Sequence, residues 1–545
     1  MYLGLDAWQS PNGFDILGTV VYRLIEEDNG GFELEAMPLD FVRLKQSHTG
    51  FYLAETVQLI VEKFGLKEKI CGIVTDNSSN NETMIEAIKS YRWPRFKGKT
   101  QWIRCFAHIL NLIVQVILRP FGSYKKKRNT TANLETDSLS DDDELDEEPD
   151  DLDDQIRLQI FSLYDEDDKD SNLSKKDAEL VGRLINNDEI ELKDEDVNEM
   201  SDEDEDDRYT SKSCKESLSK FRAISRKLSH PIPRLSFLEW QRDKRHGPSR
   251  EYHINSNNID LARDLIEVLQ PFYNITLQVS TRGGARISDV VVFIDQITSH
   301  LSTAISKKKD DFPPALRNAC RAGLQLTNKY YTLTDCSPLY RVAMVLHPSF
   351  KDEYFKLAHW NPEWIEEAIR LTREMWETQY KPPPPQPSNS QPTAPRQQTK
   401  TQTGVLAGFI SACEARGGSA PADPLTMWLA GGLILSDNGR PVDPLKWWTQ
   451  QRRAGNPHGG LLQMALDVLS CPATTVDVER SFSFGRDYIF LRRHRLSSSS
   501  ITKGMAVAFY SKNGKIKHGM LHNWKLNKKN EAKQQKGKAA RAGKK

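Results

Sequence analysis

The sequence has no run of ~18 apolar residues, so it predicts no membrane-spanning helix. It also lacks a basic then apolar leader: Met1-Tyr2-Leu3-Gly4-Leu5-Asp6 shows no secretory signal. Cysteine is sparse, seven in 545 residues, and no CxxC pair occurs. An odd number, scattered at 71, 105, 214, 320, 336, 413 and 471, argues against a disulfide scaffold and a self-contained four-cysteine zinc site. It suits a reducing compartment. No internal repeat is apparent. A mean hydropathy of −0.59, with 38% hydrophobic residues, fits a soluble chain with real cores and some disordered length.

Net charge is also lacking, and that absence misleads. Residues 135–207 hold 33 Asp and Glu against 6 Lys and Arg, a net of −27. By subtraction the other 472 residues hold 42 acids and 69 bases, a net of +27. A basic body carrying an acidic segment suggests nucleic acid as partner, because phosphate neutralisation releases counterions. Ordinary surface lysine plus a solvated acidic loop is the other reading of the same numbers.

Hydrophobic periodicity divides the chain. Residues 1–120 read as α/β. Leu3, Leu5 and Ala7 alternate in a short strand, and Ile16 to Glu26 and Phe32 to Leu39 form a hairpin through Asn29-Gly30. Leu53, Val57, Ile60, Val61 and Phe64 share a helical face that Gly65 stops. Ile70 to Thr75 and Gln101 to Cys105 read as strands, Glu82 to Tyr91 and His108 to Leu118 as helices. Residues 121–215 are a basic then acidic low-complexity insert, expected to be largely disordered. Residues 216–380 are helical, 381–403 form a Pro/Gln-rich linker, 404–510 are again ordered, and 511–545 make a flexible basic tail with 12 Lys and Arg against Glu531.

Several residues could carry chemistry. Asp6 and Asp76 each end a strand, where two carboxylates can share a hard divalent cation. Equally, Asp76 can simply cap the helix after Asn77-Ser78-Ser79. Cys105 and His108 are half of a zinc ligand set, but no second half follows, so no structural zinc is expected. Asp168 to Glu179 has EF-hand spacing with Leu173 where the loop needs glycine. Glu479 and Arg480 adjoin a core-facing helical surface, where a surface ion pair is the plain reading.

Four blocks together resemble the hAT superfamily of DNA transposases: Leu5-Asp6-Ala7-Trp8-Gln9-Ser10, Ile73-Val74-Thr75-Asp76-Asn77-Ser78-Ser79-Asn80-Asn81, Arg104-Cys105-Phe106-Ala107-His108-Ile109-Leu110-Asn111-Leu112, and Leu469-Ser470-Cys471-Pro472-Ala473-Thr474 through Glu479-Arg480-Ser481-Phe482-Ser483 to Arg493-His494-Arg495-Leu496-Ser497. The stretch from Lys329-Tyr330-Tyr331 to Trp364, with His347-Pro348-Ser349, looks like fungal members. The resemblance implies a ribonuclease-H-like mixed sheet core interrupted by a large all-α insertion. It implies a carboxylate triad of Asp6, Asp76 and Glu479 holding Mg2+ or Mn2+ for DNA cleavage and strand transfer. Cys105, His108 and Arg480 would help position DNA. Residues around 440–512 look like the family's dimerisation segment, with Trp447, Trp448 and Phe482 too large for so short a segment to bury alone; their packing into the core is the alternative.

The chain departs from the family pattern in three places. It starts almost at the first catalytic strand, with no BED-type zinc finger before it. The Arg-Trp-Asn-Ser-Thr block is not found, and Asn255-Ser256-Asn257-Asn258 reads as its remnant. The first strand is short. The expectation is therefore a transposon-derived nuclear protein that dimerises and binds DNA weakly, without autonomous transposition. An active Asp-Asp-Glu nuclease and an inactive fragment are the alternatives. The expected partners are DNA and a second copy, with no membrane.

Overall fold

A computed structural model describes residues 1–10, 13–26, 32–46, 49–121, 207–228, 253–281, 284, 286–308, 311–383, 423–488, 496–516, 519–520 and 522–529. The acidic segment (Asp207 apart), most of the Pro/Gln-rich linker, the Asn29-Gly30 turn and the EF-hand-like stretch lie outside them. Within them the protein is mixed α/β, with one small mixed sheet and many helices.

Residues 1–121 build the sheet. Its strands are β1 (Tyr2–Gln9), β2 (Asp15–Glu26), β3 (Phe32–Arg43), β4 (Gly72–Thr75) and β5 (Trp102–Arg104). They lie in the order β3-β2-β1-β4-β5. The pairs β1/β2 and β2/β3 are antiparallel, and β1/β4 and β4/β5 are parallel. The first strand is not short. It has eight residues and is the middle strand.

Alternation along β1 explains both layers. Leu3 and Leu5 join the core under α1 (Gly50–Lys63) and α2 (Ser79–Ser90), with Val57, Ile60, Val61, Ile85 and Ile88. Gly65 follows the end of α1 at φ +63°, a backbone state that glycine adopts without a Cβ penalty. Tyr2 and Trp8 face the opposite core, which holds α3 (Phe106–Leu118).

That second core runs on into the all-α part. It comprises α4 (Ser211–Leu228), α5 (Ser256–Val279), α6 (Asp289–Ser306), α7 (Pro314–Thr334), α8 (Leu339–Leu346), α9 (Glu353–Leu357) and α10 (Pro362–Gln379). Asn255 and Asn258 form a capping box at the start of α5, and Asn258 also donates to Ser217 Oγ at 2.7 Å. That is the job of the residues read as a motif remnant.

The last part holds α11 (Pro424–Ala430), α12 (Pro444–Arg453), α13 (Leu461–Leu469), α14 (Val476–Tyr488) and α15 (Ser498–Lys512). A short repeat escaped the sequence reading. Asp423-Pro424-Leu425 and Asp443-Pro444-Leu445 open α11 and α12 in the same way, each aspartate accepting the N–H three residues on, at 3.1 and 3.0 Å. The basic tail is not a featureless arm, because residues 522–529 are helical.

Candidate functional site

The parallel register of β1 and β4 sets the site. Gly4 partners Val74, and Asp6 and Asp76 each stand two residues further along. Asp6 therefore lies inside β1, on the face shared with Tyr2 and Gly4, and Asp76 just past the end of the neighbouring strand β4.

Glu479 comes to that face on α14. The face is open there because β1 and β2 carry glycine where α14 lands. A Cβ at Gly18, the partner of Asp6, would lie 2.5 Å from the Phe482 ring, and one at Gly4 would lie 3.1 Å from Val478. Trp8 stacks on Phe482 with centroids 5.3 Å apart. Asp6 thus lies between two positions, Gly4 and Trp8, that pack on successive turns of α14.

Cys105 and Phe106 tie the approach of α14 to the strand ends. Cys105 N–H donates to Thr75 O at 2.7 Å, and Phe106 N–H donates to Ala473 O at 2.9 Å. Thr475 N–H donates to Cys105 Sγ at 3.3 Å. Burial, with Glu479 nearby, pushes the Cys105 thiol up to about 12. The same neighbourhood acts on Tyr22, raised first by burial and then by Asp477.

The side chains are not gathered around an ion. Asp6 Oδ1 accepts Ala7 N–H at 2.9 Å. Asp76 Oδ1 accepts Ser78 N–H at 3.1 Å and the Asn81 amide. Asp76 thus holds the turn before α2 and does not cap it: the N-cap is Ser78, which makes no side-chain cap bond. Among the described residues no three His, Cys, Asp or Glu side chains form a metal-ligating group. The donor types suit a hard divalent cation, but their present placement does not fit one.

The other candidates separate. Cys105 is wholly buried, so it cannot touch DNA; its bonds fasten the approach to α14 onto the strand ends. His108 is half-buried on the first turn of α3. Arg480 pairs with Asp477 at 2.9 Å and donates to Ser280 O. It lines a small cleft with Val20, Pro38, Ser481 and Lys512.

Trp448 and Phe482 correct the expectation of interface residues: they are 0% and 1% exposed within this chain. Trp428 and Trp448 pack at 4.8 Å, and their indole N–H groups donate to Val345 O and Leu346 O at 2.8 and 2.9 Å. Consecutive carbonyls at the end of α8 are thereby satisfied. Trp447 is half-buried against both indoles.

Residues 425–509, from α11 into α15, match the hAT family C-terminal dimerisation region. The chain carries that hAT region. Over 524 residues it is 22% identical to tpeD of Talaromyces stipitatus, a protein named as a transcriptional regulator. The alignment covers 92% of this chain and 52% of that relative, so the chain spans about half the relative's length. Within the hAT region lie α14, Glu479 and the second Asp-Pro-Leu triplet, Asp443-Pro444-Leu445. The fungal relative agrees with the fungal hAT resemblance. No helix among the described residues is long and apolar enough to cross a membrane.

Proposed function

We propose that this is a transposon-derived hAT-type protein that self-associates through its C-terminal region and engages DNA in the nucleus through basic surfaces, without autonomous transposition. The observation that carries the reading is the dimerisation-region match at 425–509. The relative named as a transcriptional regulator and the net +27 outside residues 135–207 support the DNA part. A ribonuclease-H-like core is supported by the chain's course: the sheet is made first, the helices intervene, and α14 returns to it.

Light scattering on the full chain tests self-association, with a dimer expected. Fluorescence anisotropy on duplex DNA of arbitrary sequence should show binding that falls steeply with salt. Binding insensitive to salt, or none at low salt, overturns the DNA part.

A second reading is a metal-dependent DNA nuclease using Asp6, Asp76 and Glu479. It is favoured by the register of the two aspartates and the return of α14 to their face. Cleavage of generic DNA that requires Mg2+ or Mn2+ and is lost in Asp76→Ala would establish it over the first.

A further inference from the structure

Within residues 425–509 the large apolar side chains that remain exposed are few. Among the described residues they are Met427 (62%), Leu433 (40%), Ile434 (36%), Leu435 (52%) and Val507 (46%). Four of the five fall within nine positions, on the end of α11 and the hairpin that follows it. Of the tryptophans of the same region, Trp428 and Trp448 are buried inside the chain and Trp447 is half-buried. Resting on the self-association reading above, we propose that the hairpin of residues 431–441, together with Met427, is the surface on which a second copy of this chain docks.

The hairpin is held rigidly from below. Lys351 is 2% exposed, and its ammonium donates to Trp428 O, Gly431 O and Gly432 O at 2.7, 2.7 and 3.0 Å while lying 4.3 Å from the centre of the Trp428 ring. It caps the end of α11 and fixes where the hairpin begins. Ile434 N–H donates to Pro348 O at 3.0 Å. Ser349 Oγ donates to Ile434 O at 2.5 Å and accepts Val442 N–H at 3.0 Å. Leu435 bridges Pro441, and Ser436 N–H donates to Arg440 O at 2.8 Å around Gly439 at φ +68°.

This arrangement has two consequences. The backbone of the hairpin is largely bonded inside the chain, so a partner meets side chains and adds no strand. The aliphatic groups are also presented in a fixed geometry, so little ordering entropy is lost on docking. Three consecutive aliphatic residues held in water by a rigid support are costly unless something covers them.

A second copy is the occupant that the chemistry fits. The whole hairpin lies inside the matched dimerisation region. Residues 427–435 carry no charge, and the exposed tip holds one acid, Asp437, and one base, Arg440. The same patch on two subunits can therefore meet across a two-fold axis as aliphatic centre on aliphatic centre, with no net like-charge repulsion at the rim.

The test is sedimentation or light scattering over a concentration series on the full chain and on Leu433→Asp/Leu435→Asp. The wild type should dimerise, and the variant should dissociate at concentrations on the order of tenfold higher or more, with an unchanged melting temperature. Should the aspartates disturb folding, Leu433→Ser/Leu435→Ser is the milder pair and should weaken association in the same direction. Ile266→Asp/Tyr273→Asp, on the exposed side of α5, is the control and should dimerise like the wild type. A dimeric wild type with equally dimeric, folded hairpin variants overturns this surface while leaving self-association intact. So does loss of the dimer in the α5 variant alone. A wild type that stays monomeric throughout instead overturns the self-association reading on which the surface rests.

Discussion

Thr475 donates its backbone N–H to the sulfur of Cys105, 370 positions earlier in the chain, at 3.3 Å. With the Phe106–Ala473 bond beside it, this contact fastens the approach to α14 onto the ends of β4 and β5. Every element from α4 to α13 lies between the two halves of the fastening in sequence. Backbone and a buried thiol thus help to set where Glu479 stands relative to the strand ends.

Burial at that junction fixes the reactivity of the thiol. A thiol pushed up to about 12 is protonated at neutral pH and unreactive, and Cys320 is raised equally by burial. Cys336 is exposed. Brief iodoacetamide treatment followed by mass spectrometry should label Cys336 and spare Cys105, Cys320 and Cys471. Labelling of Cys105 at the rate of Cys336 would mean that the junction opens in solution.

Close approach of α14 to the sheet makes Gly18 unable to accept a side chain. Gly18→Ala would put a methyl group into the Phe482 ring, and the added volume in a packed core should cost about 1–3 kcal/mol. Denaturant unfolding measures it. A neutral substitution would show that α14 stands further from β2 than these distances require.

Trp448→Phe separates core from interface. An aromatic ring is kept, though smaller than the indole, and the bond to Leu346 O is lost at a site with no exposed surface. Leaving that carbonyl unpaired should cost about 1–3 kcal/mol of stability with the oligomeric state unchanged. A stable variant that loses self-association would return Trp448 to the interface.

Acid should weaken the fold before its carboxylates titrate. Burial pushes the His347 imidazole down to about 3 from 6.5, and burial followed by the nearby Lys351 lowers His458 as well. Unfolded, these rings take up protons near pH 6.5; folded, His347 does so only near 3. The unfolded state then binds more protons, so stability is full above pH 6.5 and falls as pH drops below it. The slope below that point should approach about 1.4 kcal/mol per pH unit for His347. Unfolding of wild type and His347→Gln from pH 7 to about 4.5, above the ordinary carboxylate range, measures it, with a flatter profile expected in the variant. Parallel profiles would assign the acid sensitivity elsewhere.

The β-hairpin, α1 with its Gly65 stop and the order of elements through α3 were legible because each follows a period of 2 or 3.6. The extent of β1 was not, since Gly4 and Asp6 occupy the face that α14 covers, and only the distant Val478 and Phe482 explain them. Trp448 and Phe482 were misplaced for a similar reason. With Trp447 they look like surplus in a short segment, but α8 supplies the carbonyl that takes the Trp448 indole, and Trp8 on β1 stacks on Phe482. The Asp-Pro-Leu pair, 20 positions apart, was the signal that could have marked both helix starts.

Asp76 holds two possible jobs, and two substitutions separate them. Its Oδ1 accepts Ser78 N–H at 3.1 Å in the turn before α2, work that an asparagine oxygen can also do. Asp76→Ala should therefore lower stability by about 0.5–1.5 kcal/mol, and Asp76→Asn should recover at least half of that loss. Binding a hard cation needs the negative charge that both variants lack. If Mg2+ or Mn2+ raises the melting temperature of the wild type through this carboxylate, both variants should lose that rise equally. Thermal unfolding with and without each ion, on all three chains, reads both effects together. Equal destabilisation by alanine and asparagine would remove the turn-holding role and leave charge as the property that position 76 supplies.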